Sequence, residues 1–263
     1  MFYKNIFIYK KEIKNILNIY KIIINKVGIK NLYYPFILDL YKGKLQKIVG
    51  LWNISVSLIK YKRGVHMSRI IFILNKLLFK PLSVRRFYSF YNFFVKNLES
   101  NDIFLQVCFL YFLKKITPIT KYKTLYNYKL TFLLEKKNLL LNFFIKIIII
   151  TNSLCPCSKF ISLYNSHNQR CFISFFFIIK KKNININNFI KILENQSSSS
   201  LWSILKRKDE KYITEFSYKN PKFIEDLIRN IYFCFRNKKF FLKIENLESI
   251  HNHDVYAISK KFK

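Results

Sequence analysis

An α+β fold with a mostly antiparallel sheet is what the sequence predicts, and three observations predict it. Runs of apolar residues alternate with polar ones at period two, the runs come in pairs around short polar turns, and segments of helical character follow each pair. The 263-residue chain is 51% hydrophobic, with 28 Phe and 18 Tyr. It is long enough to bury one large core or two small ones, and its composition lies far from the disordered range.

Residues 1–25 alternate Lys or Asn with Ile, Phe and Tyr and read as a basic, partly helical arm. The remainder, 26–263, reads as two similarly built halves, 26–150 and 151–263, with no internal sequence repeat. In the first half, VGIKNLYYPFILDL is β-rich, and LWNISVSLIKY places Trp52, Ile54, Val56 and Leu58 on one face of a half-buried strand. KRGVHMSR turns around Gly64, and IIFILNKLLF fits a strand or a buried helix equally well. Residues 84–117, aromatic with intermittent polar positions, predict helix. TLYNYKLTFLLEKKNLLLNFFIKIIII predicts two strands around a charged turn at Glu135 to Asn138.

In the second half, CFISFFFII predicts a strand and NINNFIKILENQ a helix, while SSSS at 197–200 reads as a flexible break or a helix start. A helix is also expected in NPKFIEDLIRNIYFCF. There Asn220 is a plausible cap, Pro221 suits the first helical position, and Glu225 and Asp226 favour the positive helix start. KKFFLKIENLESIHNHDVYA reads as a strand entering a polar loop.

The formal charge of +33 invites a nucleic-acid reading. Against it, Lys, Asn, Ile, Phe and Tyr are enriched together, all have AT-rich codons, and the lysines are dispersed and form no stripe. A uniformly basic solvated surface is the simpler reading, so nucleic acid is not expected as a partner. LLLNFFIKIIII at 139–150 is broken by Asn142 and Lys146 and is shorter than the roughly 20 apolar residues of a spanning helix, so no membrane is expected. The amino terminus carries Lys4, Lys10 and Lys11 without a sustained apolar core and cleavage site, so no secretory signal is read. Five irregularly spaced cysteines suggest no disulfide framework, and a reducing cytoplasm fits best.

Residue types of chemical use gather in islands. All four histidines lie in short polar stretches: His66 in GVHMSR, His167 in HNQR, and His251 and His253 in ESIHNHD. LCPCSKFISLYNSHNQR (154–170) adds Cys155 and Cys157 to His167. Thiolate and imidazole are zinc-class ligands, and a catalytic site takes about three protein ligands and leaves a position open. The C-x-C spacing differs from that of structural zinc knuckles. From the residues alone, Cys155 and His167 read either as metal ligands or as a buried thiol and a surface imidazole.

LCPCSKFISLYNSHNQR resembles the active-site segment of the GTP cyclohydrolase I family of type IB. VGIKNLYYP, WNISVSL with GVHMSR, KRKDEKYITEFSYKNPKFIEDLIR and ENLESIHNHDVYA match that family in the same order, over nearly the whole chain. The resemblance implies a tunnelling fold with two antiparallel-sheet-plus-helices units per chain, closing as an oligomeric barrel. It further implies a homotetramer with active sites between subunits, and a single catalytic region over 26–263. The implied reaction converts GTP and water to 7,8-dihydroneopterin triphosphate and formate by metal-activated water attack at C8, ring opening and reclosure.

By the same resemblance, Cys155, His167 and Glu210 are the metal ligands, for zinc or manganese. Cys155, Cys157, His251 and His253 are the catalytic residues. Glu225, with Glu215 second, would anchor the purine edge. Arg170 and Arg69 lead the candidates for the triphosphate, ahead of Lys159, Lys206 and Arg207, and His66 would contact substrate. Two departures stand out: Phe160 replaces a usual acidic residue, and Asn165 occupies a glycine position, a change that the tolerance of Asn for left-handed backbone makes bearable. Competing readings are a basic nucleic-acid-binding protein with a structural metal and a related tunnelling-fold enzyme acting on a pterin.

Overall fold

The computed structural model describes residues 20, 22–40, 44–98, 100, 102–137, 140–179 and 184–262. Most of the arm expected at 1–25 and the centre of the turn at 138–139 lie outside the described residues. Eight strands form one sheet in chain order, every neighbouring pair antiparallel. They are β1 (Ile24–Asp39), β2 (Leu45–Leu58), β3 (Ile103–Ile116), β4 (Lys123–Lys137), β5 (Leu140–Leu154), β6 (Asn168–Ile178), β7 (Phe240–Leu247) and β8 (Val255–Lys261). Helices α1 (Met67–Leu78) and α2 (Val84–Leu98) join β2 to β3, α3 (Pro156–Ile161) joins β5 to β6, and α4 (Ile186–Glu194), α5 (Arg207–Lys219) and α6 (Ile224–Cys234) join β6 to β7.

This corrects the fold class. Two separate sheet-plus-helices units closing as an oligomeric barrel were expected, but β5 itself runs across the boundary at 150–151 and pairs with β6 from Phe144–Ile178 to Leu154–Asn168, so both halves share one open sheet edged by β1 and β8. The cause is local: the inward-outward alternation of β5 continues unbroken past residue 150, so the strand does not stop at the boundary drawn between the halves and zips with the equally alternating β6.

One face of the sheet is buried under the helices. Trp52, Ile54, Val56 and Leu58 are all buried, as their period-two spacing predicts. Phe87 and Phe94 of α2, Phe132 and Phe143 continue this layer, and Phe175, Phe177 and Phe240 lie under α4 and α6. Gly28 lies so close to the neighbouring strand that a Cβ there would sit 2.0 Å from the Ile54 carbonyl oxygen. Any side chain at that position would push β1 off β2.

Three element readings change. Residues 103–116 form β3 and not helix, because Ile103, Leu105, Val107, Phe109 and Tyr111 all point inward at period two, and aromatic and β-branched residues suit a pleated surface. IIFILNKLLF resolves as part of α1, with Ile70, Ile73 and Leu74 buried at helical spacing. Asn220 caps the C-terminus of α5, and α6 begins at Ile224 with Glu225 and Asp226 in its first turn.

The SSSS run is no flexible break: Ser197, Ser198 and Ser199 are buried. Beyond Lys129–Ile148, β4 and β5 diverge. The segment after α4 fills the gap, with Ser199 and Asn152 exchanging backbone hydrogen bonds at 2.9 and 3.3 Å. Ser203 donates to the Leu125 carbonyl and the Trp202 indole N–H to the Ile116 carbonyl. Among the described residues no helix is long and apolar enough to cross a membrane.

Candidate active site

Strand register brings three connections to one end of the sheet: β3–β4 (117–122), β5–β6 (155–167) and β7–β8 (248–254). The second carries the scarce residues. β5 ends at Leu154, and Cys155 is the extended residue that starts α3 (φ −74°, ψ 118°), with Pro156 at the favoured first helical position. Its thiol is half-buried while that of Cys157, inside α3, is exposed, so the two cysteines face different surroundings.

The Cys155 carbonyl accepts from the Ser166 hydroxyl at 2.7 Å and the Lys159 N–H at 3.2 Å. Ser166 Oγ also lies 2.9 Å from the His167 carbonyl oxygen and 2.9 Å from Ser158 Oγ. The single proton of this buried hydroxyl goes to the nearer Cys155 carbonyl, and because Ser166 directly precedes His167 the bond holds the backbones of Cys155 and His167 together. Just before it, Asn165 adopts φ 72°, the left-handed conformation expected at a glycine position.

His167, half-buried, places Nδ1 2.9 Å from Ser249 Oγ, leaving Nε2 free of that contact, and Gln169 donates to Glu248 at 2.6 Å. These bonds join the β5–β6 loop to the β7–β8 loop. On the latter, His251 and His253 are exposed and stacked, ring centroids 5.2 Å apart and planes at 18°. Cys155, Cys157, His167, His251 and His253 therefore share two adjoining loops.

Other candidates stand apart. Lys159 Nζ donates to the Tyr218 carbonyl at 2.5 Å. Arg170 opens onto a cleft of about 550 Å³ that Asn152, Asn168, Tyr126 and Trp202 help to line. Glu210, in the first turn of α5, is paired with Arg207 at 2.7 Å, and Glu215 lies 3.8 Å from Lys211. Glu225 is exposed at the start of α6. His66 and Arg69 begin α1, which follows the end of β2, and that is the opposite end of the sheet from Cys155.

A soft sulfur and an imidazole nitrogen on one tied loop suit a zinc-class ion. Among the described residues, however, no three His, Cys, Asp or Glu side chains gather as a ligand set. The donor chemistry fits, and the third donor is not in position within one chain.

Next to Glu210, Asp209 is shielded from solvent. Burial alone would raise its carboxyl, but the Thr120 hydroxyl and the N–H groups of Thr120, Ile119 and Lys206 outweigh burial and hold it down at about 2. It pins the start of α5 to the β3–β4 turn. Burial pushes the Cys171 thiol up to about 12, against a hydrogen bond with Thr151. That thiol is a core group.

The model of the family described as type I GTP cyclohydrolase folE2 matches residues 11–257, a span that includes every candidate named above. The chain belongs to the type I GTP cyclohydrolase folE2 family. Among curated relatives, GTP cyclohydrolase FolE2 of Burkholderia ambifaria (strain MC40-6) is 35% identical over 256 residues, covering 96% of this chain and 94% of the relative. GTP cyclohydrolase FolE2 of Burkholderia multivorans (strain ATCC 17616 / 249) has the same identity and coverage. Among solved structures, uricase from Arthrobacter globiformis shares the fold alone, with a TM-score of 0.50, 6% identity, and coverage of 90% of this chain and 93% of that one.

Within this GTP cyclohydrolase family member, sequence reasoning missed Ser166, Ser198 and Ser249, whose hydroxyls meet the Cys155 carbonyl, the Leu154 N–H and the His167 ring, and it read Asn220 as the start of a helix where it ends α5. A serine in a low-complexity run carries no distinguishing signal, and only its partners reveal its use.

Proposed function

We propose that this GTP cyclohydrolase converts GTP and water to 7,8-dihydroneopterin triphosphate and formate at a site built on the β5–β6 and β7–β8 loops, within a single catalytic region over 26–263. The observation that carries this reading is the tie of Cys155 to His167 through Ser166, inside a chain matched to the family over 11–257. Cys155, His167 and Glu210 would hold a divalent ion, zinc or manganese. When bound, that ion supplies Lewis acidity, lowering the pKa of water so that a nucleophile exists at neutral pH.

Glu210 must leave Arg207 to join the set. That exchange is cheap, because the pair is solvent-facing and such pairs hold only weakly. The exposed Cys157 thiol stands beside the purine C8 position as a proton donor or covalent partner. His251 and His253 work as acid and base: one ring nitrogen protonates the opening imidazole, and the other moves a proton in the ribose rearrangement.

Glu225 anchors the guanine N–H edge. Arg170 binds the triphosphate from its cleft, and Lys159 does so once it exchanges the Tyr218 carbonyl for phosphate. His66 and Arg69 act from a second copy, since their place at the opposite end of the sheet supports a homotetramer with sites between subunits. Five free cysteines support a reducing cytoplasm. The test is formation of the product from GTP by metal-reloaded protein, with Cys155→Ala and Cys157→Ala each abolishing it.

A further inference from the structure

We infer that Ser198 is a positioning residue for Cys155, acting through the backbone of Leu154. The inference rests on the reading of Cys155 as a metal ligand and deepens it.

Where β5 parts from β4, the peptide groups of its last residues lose their strand partner on that side. Buried N–H and C=O groups must find others. The chain between α4 and α6 supplies them. Leu154 N–H donates to Ser198 Oγ at 3.1 Å, and the Leu154 carbonyl accepts from Lys222 N–H at 3.1 Å. Both Leu154 and Ser198 are inaccessible to solvent, at 1% and 0%, so water cannot stand in for the hydroxyl.

Ser198 is itself held. The Asn220 side-chain amide donates to the Ser197 carbonyl at 3.1 Å and to the Ser198 carbonyl at 3.3 Å. Leu154 is the residue before Cys155: Ser198 holds the peptide plane that enters Leu154, Lys222 holds the next plane, which joins Leu154 to Cys155, and Ser166 holds the plane that leaves Cys155. With these three successive planes held, the direction of the Cys155 Cα–Cβ bond is set, and Ser198 acts on it through the backbone of Leu154.

The four serines of the run differ in what they do. Ser197 Oγ donates to the Glu194 carbonyl at 2.8 Å, whereas Ser199 Oγ is buried without a hydrogen-bond partner among the described residues. Ser198 alone has its hydroxyl on the residue next to Cys155. Ser199→Ala is therefore a control of the same volume change, one residue away, that removes no bond.

The experiment titrates cobalt(II) into metal-free wild-type protein, Ser198→Ala, Ser199→Ala and Cys155→Ala, and reads the near-ultraviolet thiolate-to-cobalt absorption alongside thermal unfolding. Loss of an outer group that orients a ligand typically weakens metal binding by about 10- to 100-fold. We expect Ser198→Ala to fall in that range with a diminished thiolate band, while Ser199→Ala matches wild type. Should Ser198→Ala fail to fold, Asn220→Ala, which releases the Ser198 carbonyl, is read in the same way and is expected to weaken cobalt binding in the same direction. A wild-type band that survives unchanged in Ser198→Ala, or in the substituted Asn220→Ala, overturns the positioning role alone. Wild-type absorption no different from Cys155→Ala overturns the ligand reading and this inference with it.

Discussion

Asp209 has four hydrogen-bond donors around a carboxylate shielded from solvent, and its acid–base behaviour follows from them. Its folded value, about 2, lies below the ordinary 3.8, so folding favours the ionised form. The stability it contributes is complete above pH 3.8 and is lost as the pH falls towards 2. Comparing denaturant midpoints, we expect Asp209→Asn to be less stable than wild type by a constant margin down to about pH 4, narrowing below it. A margin that persists unchanged at pH 2 would contradict this. Cys171 makes a second case: with its thiol pushed up to about 12 and buried, it should resist alkylation in the folded protein at pH 8, while Cys157 and Cys234, both exposed, are labelled within minutes. Peptide mass mapping distinguishes them. At this scale the chemistry-bearing residues were legible because Cys and His are scarce in a chain of Lys, Asn and Ile. Their supports were not, since Ser166 and Ser198 look like any other serine until their partners are known.

The crossover from α4 to α5 shows why some elements were harder to read. Glu194, at the end of α4, accepts from Lys115 at 2.8 Å and from the Tyr128 hydroxyl at 2.9 Å, and Lys115 also donates to the Leu201 carbonyl at 2.8 Å. Lys115 lies over the rings of Trp202 and Tyr126 as well. Burial lowers the Lys115 pKa, opposed by the nearby Glu194 carboxylate, and burial raises that of Tyr128, with Glu194 reinforcing the shift. This buried pair fastens the segment that wedges β4 from β5. Removing one partner leaves a buried charge alone, so Lys115→Met should cost about 3–5 kcal/mol in unfolding free energy, and Lys115→Met with Glu194→Leu much less. Additive losses in that double-mutant cycle would show that the pair is not coupled. The wedge was invisible in sequence because SSSS has the composition of a linker, and its burial comes from the divergence of two distant strands. β3 was misread because an aromatic run satisfies both periods, and pairing with β2 and β4 decided between them.

Over the whole molecule, the open sheet separates residues that the proposed reaction brings together. Cys155 and His167 lie at one end, His66 and Arg69 at the other. The proposed site shared between subunits would reunite them, and subunit mixing tests this. Cys155→Ala and Arg69→Ala proteins, each inactive alone, should regain about a quarter of wild-type activity when co-refolded, because random assembly leaves that share of two-subunit sites intact. No recovery in a confirmed mixed oligomer would place both residues in one subunit's site. The pairing of the strands was legible from alternation, but their joining into one sheet was not, since the boundary drawn at 150–151 falls inside β5 and nothing in its alternation tells that it pairs on both sides. The central claim is GTP ring opening by the loops carrying Cys155 and His167. Its most direct test strips the protein of metal, reloads it with zinc or manganese, supplies GTP and follows the fluorescence of oxidised neopterin. We expect a signal that disappears in Cys155→Ala and in His167→Ala. A folded, oligomeric wild-type protein that gives none with either metal, or a signal that survives both substitutions, would contradict the account.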